Sequence, residues 1–425
     1  MKILIVGGGG REHALAWKLS QSPRVKEIFI SPGNAGTSSI GTNVLLDLQD
    51  HQKLIDWIHE NQIELVVVGP DDPLADGLVD SMLGAGIPTF GPQKAAAEIE
   101  WSKAFAKSFM REEGVPTADF ESFTDFATAR DYLRGQKFPM VIKADGLARG
   151  KGVIIAKNFE EGEQALADML SKKVFGAAGN TVVIEEFLDG HEISVHAFCD
   201  GETAVLFPPS QDHKRIGEGD TGPNTGGMGT IAPVPWVSED LMDEIRDKII
   251  LPTLRGLKKR GREFVGILYP GLMITKDGPK VLEFNARFGD PETQSYMRLL
   301  KTDLADIILA CIQHRLHSVP IEWEKHYACC VVLASAGYPG EYVKDIPISG
   351  LDEAESPNTI LFHAGTKQDG PNIVTNGGRV LGATAVGEML NGALDAAYQS
   401  VSEIHFAGMQ YRKDIGQKSL YARTA

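Results

Sequence analysis

Lys143-Ala-Asp-Gly-Leu-Ala-Arg-Gly-Lys-Gly-Val153 decides the fold. It comes close to a P-loop, but Gly146 to Gly150 is one residue short of the GxxxxGK[ST] spacing, and Gly152 stands where Ser or Thr belongs. The chain runs on as Val153-Ile-Ile-Ala156, which reads as strand, whereas a P-loop opens a helix. The stretch is therefore a hairpin, 140–144 with 153–156, whose glycine-rich tip can fold over phosphates while Lys151 supplies charge. Lys143 ends an apolar strand, where a cation costs stability unless an anion meets it. A lysine snorkelling to the surface is the alternative, but the adjoining glycine lid favours phosphate. Upstream, a helix is expected at 103–113, with Ser102 as N-cap and Gly114 and Pro116 as stop signals. Lys103 in its first turn opposes the helix dipole at a cost of roughly 0.3–1 kcal/mol, which a bound anion would reverse.

Downstream, Lys280-Val-Leu-Glu283-Phe-Asn285-Ala-Arg287-Phe-Gly289-Asp290-Pro-Glu292 follows the pattern of a strand. Positions two apart share a face, so Glu283 and Asn285 point together while Leu282 and Phe284 enter the opposite layer. One carboxylate and one amide oxygen are a partial set of hard ligands for magnesium, which fills its shell with water and phosphate. Between these stretches, Asp189-Gly190 signals a hairpin joining 182–188 to 192–199. Residues 210–235 form a long glycine-rich loop without apolar periodicity, and such loops are usually functional or disordered. In it, Asp212 could meet a substrate amine, Lys214 and Arg215 an anion, and the segment Asn224-Thr225-Gly226-Gly227 a carboxylate. His213 reads as a general base or as a structural histidine. A helix at 240–260 and a hairpin of 271–275 with 280–285 close this region.

The first hundred residues alternate apolar strands (2–6, 27–30, 64–68, 87–90) with helices (12–20, 49–61), the pattern of a doubly wound parallel sheet. Ligands of such sheets sit beyond the carboxyl ends of the strands, where Gly7-Gly8-Gly9-Gly10 falls. That run reads as a phosphate or ribose site or as a tight turn. The dinucleotide fingerprint fails, because Glu12 or His13 stands at its last glycine, and this counts against a nicotinamide oxidoreductase, a third reading. From about residue 327 a small α+β appendage is expected, with a hairpin at Asn376-Gly377.

Composition bounds the rest. The 425 residues are 43% apolar, enough for about two to four domains. Basic residues number 42 against 57 acidic, for a net charge of −15, which argues against a nucleic-acid scaffold but not against small anions. Cys199, Cys311, Cys329 and Cys330 suit neither a disulfide framework nor a C-x-x-C zinc pair. The apolar run 3–6 is too short for a signal peptide, and no run approaches the ~18 apolar residues of a membrane span. A soluble cytoplasmic protein without nucleic-acid or membrane partners is expected. No Ser/His/Asp or Cys/His arrangement suggests a protein nucleophile.

With these motifs in hand, the sequence resembles the phosphoribosylamine–glycine ligases (glycinamide ribonucleotide synthetases) of the ATP-grasp superfamily. GGGGREHA, SPGNAGT, the KADGLARGKGV segment, EEFLDGHEISV, DHKR with GPNTGGMG, and LEFNARFGDPE occur in the family's order across residues 1 to about 295. The resemblance implies a multidomain α/β and α+β protein. An N-terminal parallel-sheet domain would span 1–100, and an ATP-grasp domain 101–326 with its lid at about 118–190. A C-terminal α+β domain would span 327–425. It further implies ATP between antiparallel sheets, with Lys103, Lys143 and Lys151 at the phosphates and a lid from Gly146 through Gly150 to Gly152. Glu185, Glu186 and Leu188 would meet the adenine, and Glu192 the ribose. Glu283 and Asn285 would bind Mg²⁺ or Mn²⁺. Arg287, Lys143 and Asp212 are the expected catalytic residues. The substrate site is expected from Gly8, Gly9, Gly10, Asn34, Asp71, Asp212, Lys214, Asn224, Thr225, Gly226, Gly227, Arg287, Gly289 and Asp290.

The implied reaction activates glycine with ATP to glycyl phosphate, which phosphoribosylamine converts to glycinamide ribonucleotide, ADP and phosphate. The implied partners are glycine, phosphoribosylamine and ATP, on a monomer or weak homodimer. Arg149 stands where the family has a small residue, and Asp71 where it has Glu. The competing readings are a purine-pathway ATP-grasp ligase for formate or bicarbonate, which EEFLDGHEISV and GPNTGGMG disfavour, and a non-catalytic nucleotide-binding regulator. Lys143, Glu283 and Asn285 speak against the latter, since a mere binder need not hold metal at the γ-phosphate.

Overall fold

Strands Lys2–Gly7 and Leu65–Val68 are apolar on both faces, which only a sheet covered on both sides tolerates. Leu4 and Val6 face one core with Leu54, Ile58 and Met82, while Ile3 and Ile5 face another with Leu15, Leu19 and Ile308. The computed structural model, which describes residues 1–146, 152–174 and 176–421, accordingly opens with a five-stranded parallel sheet. Its order is Thr42–Asn43, Glu27–Pro32, Lys2–Gly7, Leu65–Val68, Thr89–Phe90. The direction of winding reverses between Lys2–Gly7 and Leu65–Val68. The crevice at such a switch point is where open α/β sheets take ligands, and Gly8 to Gly10 and Asp71 flank it.

Two antiparallel sheets follow. The smaller runs Phe120–Phe123, Val182–Glu186, Met140–Ala144, Val153–Ala156 over its own core of Ala129, Leu133, Leu166 and Met169. The larger runs His191–Ser194, Val265–Thr275, Ala197–Asp200, Ala204–Leu206, with Gly278–Asn285 also paired to Val265–Thr275. The two meet where Val281 N–H donates to Pro116 O (2.8 Å) and Thr117 Oγ1 donates to Val281 O (2.7 Å). The helix Lys103–Glu113 beside them is capped by Ser102, whose hydroxyl accepts from Phe105 N–H, and ends on left-handed Gly114. Among the described residues no helix is long and apolar enough to cross a membrane.

Four expectations are corrected for physical reasons. The hairpin at Asp189-Gly190 does not form: both edges of Val182–Glu186 are already taken, and the chain crosses there into the larger sheet. Gly190 lies so close to that sheet that a Cβ would meet Ile274 O at 2.2 Å. The Asn376-Gly377 hairpin fails likewise. Arg379–Gly387 sits between Tyr327–Ala334 and Thr359–His363, and Asn372–Thr375 pairs instead with Thr366–Asp369. The long loop 210–235 contains four short strands, and two of them, Gln211–Asp212 and Gly229–Ala232, extend the C-terminal sheet. The C-terminal unit is thus built into the stretch 210–235. The helix expected at 240–260 is interrupted by a π turn at Arg246–Ile250.

Candidate active site

Alternation along Gly278–Asn285 sends Glu283 and Asn285 to one side, as the sequence predicts, and three lysines converge on Glu283. Burial alone would raise its carboxyl, but Lys214, Lys143 and Lys103 outweigh burial and hold its pKa down to about 2. Lys214 Nζ lies 2.6 Å from Glu192 and 3.5 Å from Glu283. Lys143 Nζ donates to Leu282 O at 2.9 Å and lies 3.0 Å from Glu185, itself almost completely buried. Lys103 Nζ donates to Gly146 O at 3.0 Å, at the near end of the glycine segment. At its far end Gly152 O accepts from Ala144 N–H at 2.8 Å, closing the hairpin around the tip. Gly150, Lys151 and Arg149 lie outside the described residues. Such a concentration of ammonium groups around ionised oxygens is a site for a polyphosphate.

Arg287 continues this surface. Its Nη2 lies 3.0 Å from Glu100 and donates to Asn285 Oδ1 at 3.3 Å, while its buried Nε and Asn285 Nδ2 have no partner. Burial opposes the Arg287 charge, but Glu100 and Asp71 raise its pKa above the ordinary value. Asp71 opens the helix Asp71–Asp76, and Arg287 and Arg11 overcome the effect of burial to hold its carboxyl below the usual range.

The glycine-rich stretch 210–235 is gripped by residues more than 100 positions away. Arg379 donates to Gly226 O (2.6 Å) and Asp290 O (2.7 Å) and lies 3.4 Å from the Asp290 carboxylate. Tyr338 OH accepts from Gly226 N–H at 3.0 Å. Thr225 donates its hydroxyl to Lys214 O and accepts from Gly227 N–H, and Asn224 pairs with Arg215 across the small hairpin. Asp212 Oδ1 accepts from His213 N–H at 2.7 Å; burial first and Glu292 second push this carboxyl well above the usual range. Gly227 and Gly289 are glycine by necessity. A Cβ on Gly227 would stand 2.7 Å from Asp212 Oδ1, and one on Gly289 2.6 Å from both Glu292 Oε2 and His196 Nε2.

At the switch point, Gly8, Gly9, Pro32 and Gly33 face Asp290, Gly365, Thr366, Asn376 and Arg379 across a cleft of about 420 Å³, within the range of small-molecule sites. The glycine run does more than bare its amides. Gly9 N–H donates to Glu12 Oε2 at 2.7 Å, Glu12 pairs with Arg11 at 2.6 Å, and a Cβ on Gly7 or Gly69 would collide with the Glu12 side chain. Gly10 begins the helix Gly10–Leu19. Asn34 is spent on architecture: its amide donates to Gly8 O and His363 O and accepts from Gly36 and Thr37 N–H.

Most of the expected residues thus lie on one connected surface. Glu186 is outside this network, exposed and 3.6 Å from Lys280, and Leu188 is buried nearby in sequence. His213 is structural: Nδ1–H donates to Gly229 O at 3.0 Å and Nε2 accepts from Gly416 N–H at 3.1 Å. Sequence reading missed Lys107, Glu100, Arg379 and Tyr338. Lys107 left a signal, standing four residues from Lys103 on one helix face; Arg379 and Tyr338 left none, because only the tertiary fold brings them to the loop.

Antiparallel sheets closing on lysines and an acidic strand, behind an N-terminal parallel sheet, define an ATP-grasp protein. Family models match nearly the whole chain: the phosphoribosylglycinamide synthetase N domain over 1–100, its ATP-grasp (A) domain over 101–293 and its C domain over 328–418. The chain belongs to the phosphoribosylglycinamide synthetase family. It is 48% identical to the phosphoribosylamine–glycine ligase of Vibrio vulnificus over 99% of each chain. It is 49% identical to the human trifunctional purine biosynthetic protein adenosine-3, of which it spans 42%. The crystal structure of phosphoribosylamine–glycine ligase from Thermotoga maritima superposes with a TM-score of 0.88 at 36% identity, over 98% of this chain and 100% of that one.

Proposed function

We propose that the chain joins glycine to phosphoribosylamine at the expense of ATP, giving glycinamide ribonucleotide, ADP and phosphate. The observation that carries the reading is the trio Lys103, Lys143 and Lys214 around ionised Glu283, next to a separate cleft bounded by Arg379; full-length kinship with phosphoribosylamine–glycine ligases supports it. In this reading residues 1–100 present the amine substrate, 101–326 clamp the nucleotide with about 118–190 as lid, and 327–425 close the sugar end. Adenine rests against 185–188 and ribose near Glu192. Lys103, Lys143 and the glycine tip, with Lys151, draw the phosphates in.

Glu283 and Asn285 offer a carboxylate and an amide oxygen on one strand face. That donor set fits magnesium or manganese completed by phosphate and water. Held there, the ion would supply charge neutralisation for the phosphoryl group being transferred. Phosphoryl transfer needs positioning and charge rather than a protein nucleophile. Arg287 orients the glycine carboxylate toward the γ-phosphorus; a carboxylate oxygen attacks and ADP departs. Asp212, beside Glu292, receives the glycine ammonium, whose positive charge suits two crowded carboxyls. The amine of phosphoribosylamine then attacks the acyl carbon, loses a proton, and phosphate leaves carrying an oxygen from glycine. Its sugar phosphate lies in the cleft of Gly8, Gly9, Thr366 and Arg379. A lid excludes water from an anhydride that water destroys.

The test is ADP release with Mg²⁺-ATP and freshly generated phosphoribosylamine, adding glycine, formate or bicarbonate in turn. Glycine alone should support turnover. Turnover on formate or bicarbonate would assign the chain to another ligase.

A further inference from the structure

A buried lysine next to the site lies outside this mechanism. Lys107, on the helix Lys103–Glu113, is 2% exposed, and its ammonium lies 2.9 Å from Glu185 Oε2. It also donates to Thr117 Oγ1 at 2.7 Å and sits over the Phe120 ring, 5.9 Å from its centre. The hydroxyl of Thr117 in turn donates a hydrogen bond to Val281 O. Glu185 presents its other oxygen to Lys143, 3.0 Å away. Two ammonium groups therefore share one carboxylate, and the positive charge left over on the triad faces ionised Glu283 and whatever anion the site takes.

A structural ion pair would need only one lysine. With Glu185 serving Lys143 alone, the pair would be neutral and closed, and Lys143 would have little field to offer an incoming anion. The second lysine is expensive: burial lowers the Lys107 pKa to about 8 despite the pull of Glu185, and a buried charge without full compensation destabilises a fold. An apolar residue at 107 would serve stability at least as well.

Resting on the nucleotide site assigned above, we propose that Lys107 is a positioning residue for phosphate binding: by occupying one oxygen of Glu185 it stops that carboxylate from neutralising Lys143. Lys107 itself touches no ligand; it keeps the charge of Lys143 available.

The experiment measures dissociation constants for ATP and adenosine, together with melting temperature in the absence of nucleotide, for the wild type, Lys107→Met and Lys107→Gln. Both variants should bind ATP at least tenfold more weakly and adenosine as the wild type does, with unchanged or higher melting temperatures. Equal losses for ATP and adenosine, unchanged ATP affinity, or failure of both variants to fold would each overturn the proposal and leave Lys107 a structural residue. A wild type without affinity for ATP would instead remove the nucleotide site itself.

Discussion

Acidification should loosen the grip of the C-terminal unit on the substrate loop, and His213 allows the effect to be isolated. The ring is buried between Gly229 O and Gly416 N–H, and its Nε2 must stay unprotonated to accept the latter. Burial and the Arg412 guanidinium lower its pKa from 6.5 to about 4, with Lys418 adding to the effect and Asp414 opposing it. The unfolded chain binds a proton as pH falls through 6.5, whereas the folded chain resists until about 4. Stability contributed by the neutral ring is therefore full above 6.5 and is lost as pH falls between these values. A difference of about 2.5 units corresponds to about 3 kcal/mol, most of it gone by about pH 4.5. Urea unfolding of the wild type and His213→Gln at about pH 7.5 and 4.5 reads this directly. The variant should lose about 1 kcal/mol at neutral pH for a broken hydrogen bond, and its further loss on acidification should be smaller than the wild type's by about 3 kcal/mol. Parallel losses in the two proteins would refute the argument.

Glu283→Gln keeps the side-chain shape but removes the charge that gathers Lys103, Lys143 and Lys214; turnover should fall at least about 100-fold, the scale of losing an electrostatic contact to the reacting groups, with circular dichroism unchanged. Near-normal turnover would remove the metal assignment. Gly227→Ala places a methyl at a φ of +109° and 2.5 Å from Pro291 Cδ, displacing Asp212; the KM for glycine should rise about tenfold or more, a loss of about 1.4 kcal/mol, with that for ATP little changed. Arg379→Gln frees Gly226, Asp290 and the sugar-phosphate cleft together, and steady-state kinetics should place its main cost in the KM for phosphoribosylamine.

What the sequence disclosed follows from the range of the interactions involved. Period-two alternation is local, so the shared face of Glu283 and Asn285 could be read directly, as could the hairpin that brackets Lys143. The apolar runs 2–6 and 64–68 announced a sheet covered on both sides. Strand partnership is not local. Asp189-Gly190 and Asn376-Gly377 have turn chemistry, yet the strands beside them already had both edges filled. The site residues missed by sequence reading share that origin: Arg379 reaches Gly226 from 153 positions away, and Glu100 reaches Arg287 only because the helix Lys94–Trp101 packs against the strand Gly278–Asn285. The glycine run was read as a ligand cradle, and part of its freedom instead accommodates Glu12.

In the proposed reaction, glycine's carboxyl becomes a mixed anhydride with phosphate between the two sheets. Turnover with glycine labelled with oxygen-18 in both carboxylate oxygens tests it most directly, by mass analysis of the inorganic phosphate released. Each phosphate formed should carry one labelled oxygen. Phosphate free of label under conditions that produce glycinamide ribonucleotide would contradict it.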